Sequence, residues 1–499
     1  MSLICSVKSG AQKIHPLTQA MLNGYEELLK QNPNDYQTLY DRASQYYNLS
    51  EYDKALSDIL RALNCTPAKE KTLIAAEASL AANVYTQLKD YPNALTMINR
   101  ALEIEPGSYS YIYQRGNIYL YLKNAEEAKR NFNSLLRLKS RSQEALFGLA
   151  RCAILEGKNS EARTYLEEAE KTDQNNYITH CRIGDLYQEM GENQNAAASY
   201  LSAFSLNSRD ERSLSSLFDL GRKDYDSVTY AIDYAMSLTQ NQVPLLFIMG
   251  NIAKETGHYD DAYAAYTALV NTDDGKLPEV QATMAEICRQ RNSLDEAFGY
   301  AQRAYNASPN TSYQLVKASL DYDLMDYEAA AQLCDDILAK DPENLEALII
   351  RALTAVAQND LTKASDSLSV AIAVNPLDAR PLLLRGYLAD KYKISTLPGK
   401  SDFIRVSQLS PANDLETIYK AIGQTYAGKT LDANDTLAPV LKKASDNADA
   451  AYLMALYYAA TNNIDKGKNA LDSARKLGFS NSYLLNAYAA PMLSVAVLR

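Results

Sequence analysis

The sequence predicts an all-α fold, an α-solenoid built from repeated helix-turn-helix units. The chain has 499 residues, far more than one hydrophobic core normally serves. Glycine and proline are sparse, at 19 and 15 residues, and few β-branched runs alternate as strands do. Small and aromatic residues recur with a period of 34 residues. Counting these periods gives about thirteen helical pairs, followed by a terminal helix.

Four columns of residues keep the same phase over four successive units. The first column, which we call the small column, contains only glycine and alanine: Ala82, Gly116, Ala150 and Gly184. The second column is Tyr85, Tyr119, Ala153 and Tyr187, and the third is Ala94, Ala128, Ala162 and Ala196. The fourth column contains large side chains: Ile98, Phe132, Leu166 and Tyr200. A glycine inside a helix costs about 1 kcal/mol relative to alanine. Because the equivalents of Gly116 are also small, we expect this column to lie where two helices of a unit approach closely.

Each unit contains a polar turn between its two helices. Segments such as "YLKNAEEA" and "LEGKNSEA" have residues that suit the end of one helix, followed by an acidic or amide residue that suits the start of the next. A proline often stands where the second helix ends, at Pro67, Pro106, Pro309, Pro342, Pro376 and Pro411. The turns and prolines therefore predict where each helix begins and ends.

These columns resemble the tetratricopeptide repeat family. The resemblance is carried by Gly116, Tyr119, Ala128 and Phe132, by Gly184, Tyr187, Ala196, Tyr200 and Ala203, and by Ala43, Tyr46, Ala55, Ile59, Ala62 and Pro67. The family's large aromatic residue near the start of the first helix is replaced by Leu39, Ile112, Leu146 and Leu246. The resemblance extends over roughly residues 36–481 and implies a right-handed superhelix.

The strength of the repeat pattern divides the chain into segments. They are residues 1–15, a signal-peptide remnant or disordered N-terminus; 16–210, an N-terminal array; 211–242, an irregular unit; 243–378, a central array; 379–481, divergent units; and 482–499, a terminal capping helix. The step from Ala55 to Ala94 is 39 residues, so we expect about five extra residues to lengthen one connection. A second break in phase lies between Ala196 and Ala262.

The N-terminal segment "MSLICSVKSGAQK" resembles the end of a secretory signal peptide, with cleavage near Ala11. It lacks a positively charged start, and its apolar run is short. The segment favours an exported or periplasmic protein, with a cytoplasmic one as the alternative. No stretch reaches the ~18 apolar residues of a transmembrane helix.

Composition argues against several classes of function. The net charge is -11 with no basic cluster, so we do not expect nucleic-acid binding. The six cysteines form no C-x-x-C pair and are interpreted as buried thiols, and the three histidines lie far apart. No nucleotide-binding, hydrolase or zinc-protease motif occurs. The sequence therefore predicts a protein that is not an enzyme, with no metal and no cofactor.

In the resembled family, the concave wall formed by the first helices usually carries peptide or protein recognition. By helical register, this wall would contain Tyr40, Ser44, Tyr47, Asn83, Tyr113, Asn117, Phe147, Arg151, Asp185, Phe247 and Asn251. Tyrosine and asparagine suit the recognition of an extended peptide, because tyrosine offers area with a hydroxyl and asparagine bonds backbone amides. No lysine stands at the facing positions, so we do not expect a clamp for chaperone carboxylates.

The predicted function is that of a non-enzymatic scaffold or adaptor whose concave groove binds a protein or an extended peptide. Two alternatives stay open. One is a structural or assembly component that forms a homo-oligomer, or docks on a neighbour, through its terminal helix at residues 482–499. The other is a repeat module that recognises a glycan or serves a catalytic partner.

Overall fold

The computed structural model describes residues 16–291 and 293–477, and all regular secondary structure in these ranges is helical. They contain 27 α-helices, which comprise α1 and thirteen consecutive pairs, and one short 3-10 helix. The predicted all-α solenoid of about thirteen pairs is confirmed. Residues 1–15 and 482–499, for which we predicted a signal remnant and a capping helix, lie outside the described residues.

The chain forms two compact units; one ends at Ile232 and the other begins at Asp233. The helices of the first unit are α1 Pro16–Gln31, α2 Tyr36–Asn48, α3 Tyr52–Cys65, α4 Lys71–Gln87, α5 Tyr91–Ile104, α6 Tyr109–Tyr121, α7 Ala125–Leu138, α8 Gln143–Leu155, α9 Asn159–Thr172, α10 Tyr177–Glu189, α11 Asn193–Leu206 and α12 Glu211–Gly221. Helix α13, Tyr225–Leu238, contains the boundary between the units. The repeat columns did not predict α1, because it precedes the first complete pair.

The second unit continues the same alternation of first and second helices. Its helices are α14 Val243–Glu255, α15 Tyr259–Val270, α16 Pro278–Gln290, α17 Leu294–Ala307, α18 Thr311–Asp323, α19 Tyr327–Leu338, α20 Leu345–Ala357, α21 Leu361–Val374, α22 Ala379–Lys391, α23 Gly399–Gln408, α24 Asp414–Tyr426, α25 Thr430–Lys443, α26 Ala448–Ala460 and α27 Ile464–Lys476. The 3-10 helix, Asp274–Lys276, lies between α15 and α16.

We had expected the five extra residues of the second pair to lengthen a connection, but most of them do not. Four extend helix α4, which has 17 residues where α2 and α6 have 13, and the fifth lies in the connection before it, residues 66–70. The added turn begins at Lys71, shortly after Pro67, and its residues Lys-Thr-Leu-Ile are followed by a run rich in alanine. Alanine, leucine and lysine are good helix formers, so the added residues join the helix that follows them.

The turns within the pairs share one backbone feature. In most of them a single residue just after the first helix has a positive φ angle, which satisfies the last carbonyl groups of that helix. Glycine holds this position at Gly157, Gly191, Gly257 and Gly428, and other residues hold it at Ser50, Lys89, Lys123, Met325, Asn359, Lys393 and Asn462. The positive φ angle therefore recurs in more turns than glycine does, although glycine was one of the residues from which we predicted the turns.

Aromatic rings of the second helices fill the space left by small residues of the first helices. A Cβ atom added to Gly116 would lie 2.8 Å from Cε1 of Phe132, and one added to Gly148 would lie 2.5 Å from the same atom. Equivalent contacts join Gly184 to Tyr200, Gly250 to Tyr266 and Gly386 to Phe403. The prediction that Gly116 permits a close helix approach is confirmed.

Buried polar bridges tie the two helices of several pairs together. The Arg42 guanidinium donates from Nε to Asp58 Oδ2 at 2.6 Å and from Nη2 to Asp58 Oδ1 at 2.9 Å. In the same register, Arg115 Nε donates to Asn131 Oδ1 at 2.9 Å. Each arginine directly precedes a residue of the small column, so the bridge and the close helix contact occur side by side.

Candidate functional site

In the first unit, the first helices of successive pairs contact one another. This holds for α2 with α4, α4 with α6, α6 with α8, and α8 with α10. Among the described residues, successive second helices, such as α3 and α5, make no comparable contact. The first helices therefore lie on the inner side of the curve within this unit, and we call the face that they form the inner wall.

The predicted site residues on α2 lie partly exposed. Ser44 Oγ donates a hydrogen bond to the backbone carbonyl of Tyr40 at 3.0 Å. Burial raises the pKa of both Tyr40 and Tyr47 above the usual tyrosine range. Both phenols therefore stay protonated at neutral pH and can donate a hydrogen bond.

The predicted residue Asn83 belongs to a polar network between α4 and α6. Gln114 Nε2 donates to Asn83 Oδ1 at 2.8 Å and to the carbonyl of Ser79 at 2.9 Å. Ser79 Oγ donates to Gln114 Oε1 at 2.8 Å. The network fixes the orientation of the Asn83 amide, since its oxygen must be the acceptor. Sequence reasoning missed Gln114, although it directly follows Tyr113 in the wall register.

Tyr113 and Asn117 lie one helical turn apart on α6, and both are partly exposed. The Tyr113 ring packs edge-on against Phe132, with centroids 6.2 Å apart. Among the described residues, the Asn117 carboxamide has no hydrogen-bond partner in the protein. This amide therefore keeps both its donor and its acceptor available.

Further along the first unit, more of the predicted site residues contact other side chains of the protein. Phe147 is only 2% exposed, and the Arg182 guanidinium lies 4.2 Å from its ring centroid. Asp185 accepts a hydrogen bond from the Tyr200 hydroxyl at 2.9 Å and forms an ion pair with Arg212. Arg151 lies partly exposed on α8. Phe147 and Asp185 are thus less available than Arg151 and the predicted residues on α2, α4 and α6.

Phe247 and Asn251 belong to the second unit, on α14. Asn251 Nδ2 donates to the Phe247 carbonyl at 2.8 Å, and Asn251 Oδ1 accepts from the Tyr266 hydroxyl at 3.0 Å. The Phe247 and Tyr266 rings pack edge to face, with centroids 6.2 Å apart. Both polar atoms of this asparagine are therefore used within its own helical pair.

In three later pairs of the second unit, the positions equivalent to Tyr113 and Asn117 are buried. They are Ile349 and Leu353 on α20, Leu383 and Tyr387 on α22, and Tyr452 and Leu456 on α26. The Tyr387 hydroxyl donates to the carbonyl of Ala460 at 2.6 Å, which joins α22 to the end of α26. These positions form part of the core, because apolar side chains gain free energy by leaving water. The polar, accessible part of the predicted site lies in the first unit.

The described residues show little that would support bond-making chemistry. Within residues 16–291 and 293–477, no three His, Cys, Asp or Glu residues are grouped closely enough to hold a metal ion. Burial raises the pKa of Cys152, Cys288 and Cys334 to about 12 each. These thiols stay protonated at neutral pH and are poor nucleophiles. Among the same residues, no helix has the length and apolarity that crossing a membrane requires.

Three segments of the chain match family models of repeat proteins. Residues 178–210 and 315–379 each match a model described as a tetratricopeptide repeat. Residues 54–178 match the second ARM domain of tetratricopeptide repeat protein 21. The chain is a tetratricopeptide repeat protein.

Two curated relatives share part of this tetratricopeptide repeat protein. Anaphase-promoting complex subunit 3 of Schizosaccharomyces pombe is 24% identical over 205 residues, which are 40% of this chain and 30% of the relative. A TPR repeat-containing protein of Pseudomonas aeruginosa is 28% identical over 214 residues, 42% of this chain and 35% of the relative. The chain covers about a third of the length of each relative. Among solved structures, yeast Tom70 aligns over 91% of this chain and 97% of its own, with a TM-score of 0.37 and 15% identity.

Proposed function

We propose that the chain is a non-catalytic scaffold whose inner wall, on α2, α4 and α6, binds an extended segment of a partner protein. The observation that carries this proposal is the open carboxamide of Asn117 beside the partly exposed ring of Tyr113. An asparagine without an internal partner can hydrogen-bond the backbone of any peptide, and the neighbouring ring adds contact area.

The relatives agree with a scaffold role in general terms. One of them is named as a subunit of the anaphase-promoting complex, which is a multi-protein assembly by its name. The proposal for this chain adds a location, because Asp185, Phe247 and Asn251 already have internal partners whereas Asn117 does not. Assembly through residues 482–499, and service to a glycan-handling partner, stay predictions from the sequence.

A random library of displayed twelve-residue peptides, selected on the full chain, tests the proposal. We expect enriched peptides that lose at least tenfold in affinity on the Asn117→Ala and Tyr113→Ala variants. The Tyr230→Ala variant is a matched control, because Tyr230 is an exposed tyrosine on a second helix, α13. Peptides that bind all four proteins equally, or no enrichment at all, would overturn the proposal.

A further inference from the structure

Helix α1 stands in the register of a second helix, but among the described residues no first helix precedes it. Met21 and Leu28 lie 34 residues before Ala55 and Ala62 of α3. In the complete pair α2–α3, both alanines are 0% exposed. On α1, Met21 is 40% exposed and Leu28 is 51% exposed. Helix α1 therefore presents to solvent a face that a complete pair buries.

The exposed face of α1 has an apolar stripe of three large side chains and one glycine. We call these residues the α1 stripe: Leu17, Met21, Gly24 and Leu28. Their spacing of four, three and four residues is the 3.5-residue period that keeps one stripe facing a neighbouring helix. A Cβ atom added to Gly24 would have no neighbour within 4 Å among the described residues. The other apolar side of α1, with Leu22 and Leu29, is buried, and α1 packs on α2.

The turn that joins the two helices of most other pairs cannot form directly before α1. In those pairs a residue with positive φ stands five positions before the alanine of the third column, as Lys123 stands before Ala128. The same position before Met21 is Pro16, the first residue of α1. The proline ring fixes φ at about −65°, so Pro16 cannot adopt the positive angle. A helix that packs on the α1 stripe is therefore not joined to α1 by the usual turn.

The α1 stripe also lacks the polar group to which first helices of this array bind. Asp58 and Asn131, on second helices, accept hydrogen bonds from Arg42 and Arg115 of their own first helices. By the same register, the equivalent position in α1 is Gly24. An arginine packed there would lose hydration and find no acceptor at this position. The α1 stripe therefore favours an apolar helix over a first helix of the repeat type.

The α1 stripe is complementary to an antiparallel copy of itself. With a two-fold axis at the middle of the stripe, Leu17 lies opposite Leu28 of the second copy, and Met21 lies opposite Gly24 of the second copy. The flexible methionine side chain then fills the space that the glycine leaves. Helices joined by a short turn, as within each pair, are antiparallel as well.

The charges of α1 favour the same orientation. Its C-terminal half carries Glu26 and Glu27, which pair with Lys30 at 3.8 and 2.8 Å, whereas its first turn has no acidic residue. Antiparallel copies place Glu27 beside the first turn of the second copy, where the helix dipole is positive. The two Glu27 residues are then about 13 Å apart along the helix axis, whereas parallel copies would bring them together.

We propose that the α1 stripe is a dimer interface, on which α1 of a second copy of this chain packs in the antiparallel orientation. Each α1 covers the exposed face of the other, so the contact is closed and two-fold symmetric. The inference goes beyond the proposed function, because α1 is not one of the helices of the inner wall.

Sedimentation velocity of the full chain over a range of concentrations tests the interface. We expect the parent to approach twice its monomer mass of 55.3 kDa at about 100 µM. Leu28→Glu should raise the dimer Kd about tenfold or more, because the interface would bury an unpaired charge. Leu431→Glu is the matched control, since Leu431 is a 79% exposed leucine on the second helix α25, and it should associate as the parent does.

Two results of this measurement would overturn the proposal. One is a parent that stays at the monomer mass up to about 100 µM, which would leave the α1 stripe to a different protein. The other is a dimer whose Kd is unchanged in Leu28→Glu, which would assign the self-association to another surface.

A change of side-chain size tests the packing across the two-fold axis. Gly24→Leu adds apolar area to the stripe, yet it should weaken the dimer about tenfold, because the leucine meets Met21 of the second copy. Met21→Ala in the same chain makes room for that leucine and should restore part of the affinity. Circular dichroism checks that both variants stay folded. Tighter association of Gly24→Leu would indicate non-specific apolar contact and would contradict the antiparallel packing.

Discussion

The ring of Phe132 lies against Gly116 so closely that a Cβ atom on that glycine would be 2.8 Å from the ring carbon Cε1. The two residues stand on opposite helices of the third pair, α7 and α6. Glycine is therefore required here by packing, although the helix itself would favour alanine. This contact sets the closest approach of the two helices in the pair.

We expect Gly116→Ala to destabilise the protein by about 1–3 kcal/mol, because the added methyl group overpacks the contact with Phe132. Thermal unfolding followed by circular dichroism measures the change. Gly107→Ala is the matched control, since a Cβ atom there would have no neighbour within 4 Å among the described residues. The double variant Gly116→Ala with Phe132→Leu should recover part of the loss. Equal melting temperatures for the parent and Gly116→Ala would contradict the packing role.

Removing one partner of the Arg42–Asp58 bridge should be costly. Asp58 is 5% exposed at its side chain, so Asp58→Ala leaves a poorly hydrated guanidinium without its partner. We expect a loss of about 3 kcal/mol in denaturant unfolding. Glu126→Ala removes a similar ion pair to Arg130 that is 78% exposed, and it should cost less than about 1 kcal/mol. Similar losses for both variants would argue against burial as the cause.

The turn residues with positive φ predict that two opposite substitutions shift the melting temperature in opposite directions. Lys123 has a φ of 57°, which costs a residue with a Cβ atom roughly 1 kcal/mol. Lys123→Gly should therefore raise the melting temperature, and Gly157→Ala, at a φ of 72°, should lower it. No atom of residues 16–291 or 293–477 lies within 4 Å of a Cβ on Gly157, so its change reports the backbone alone. Shifts of the same sign in the two variants would refute this reading of the turns.

Glu77 predicts a dependence of stability on pH. Its side chain is buried in α4; Thr66 Oγ1 donates to Oε1 at 2.6 Å, and Oε2 has no partner within the part of the chain that the structure describes. Burial raises the pKa of this carboxyl above its ordinary value of 4.5. The folded state then holds the proton more tightly than the unfolded state. The contribution of Glu77 to stability is therefore greatest below pH 4.5 and is lost as the pH rises through the raised pKa.

Unfolding in urea at pH 5 and pH 8 measures the Glu77 effect. The parent should lose more stability between these values than Glu77→Gln, which cannot ionise at this position. Glu103→Gln, at an exposed position on the neighbouring helix α5, should leave the parent's pH dependence unchanged. A pH dependence that is identical in Glu77→Gln and in the parent would show that the carboxyl is ionised at no cost.

The repeat period predicted the fold well, because it records packing that each pair repeats. The positions of Gly116, Ala128 and Phe132 follow from a period of 34 residues. The structure places Gly116 against Phe132, as expected, and buries Ala128 in the same hydrophobic cluster as Phe132. The added turn of α4 was missed, since the five extra residues could join either a loop or a helix. Local propensity at Lys71–Ile74 decided in favour of the helix.

The candidate site was only partly predictable. Helical register predicts that Asn117 and Asn251 lie on the same face of their helices. From the sequence alone, the two residues are therefore equally good candidates for binding a partner. Their difference arises from the second helix of each pair: Tyr266 places a hydroxyl at Asn251, and Phe132 has none to offer Asn117. Likewise, Tyr387 is buried, and its hydroxyl donates to the carbonyl of Ala460 on α26. The repeat period contains no signal for a contact between helices so far apart in the sequence.

The position of Phe132 between Gly116 and Gly148 has a consequence for how the array unfolds. One ring belongs to two pairs at once, so the third pair cannot open without exposing part of the fourth. In a linear array, such shared contacts are the nearest-neighbour couplings that make unfolding cooperative along the chain. Shrinking this ring would therefore do more than weaken one pair. It would weaken the coupling between the third and fourth pairs, so that the first unit unfolds in two steps.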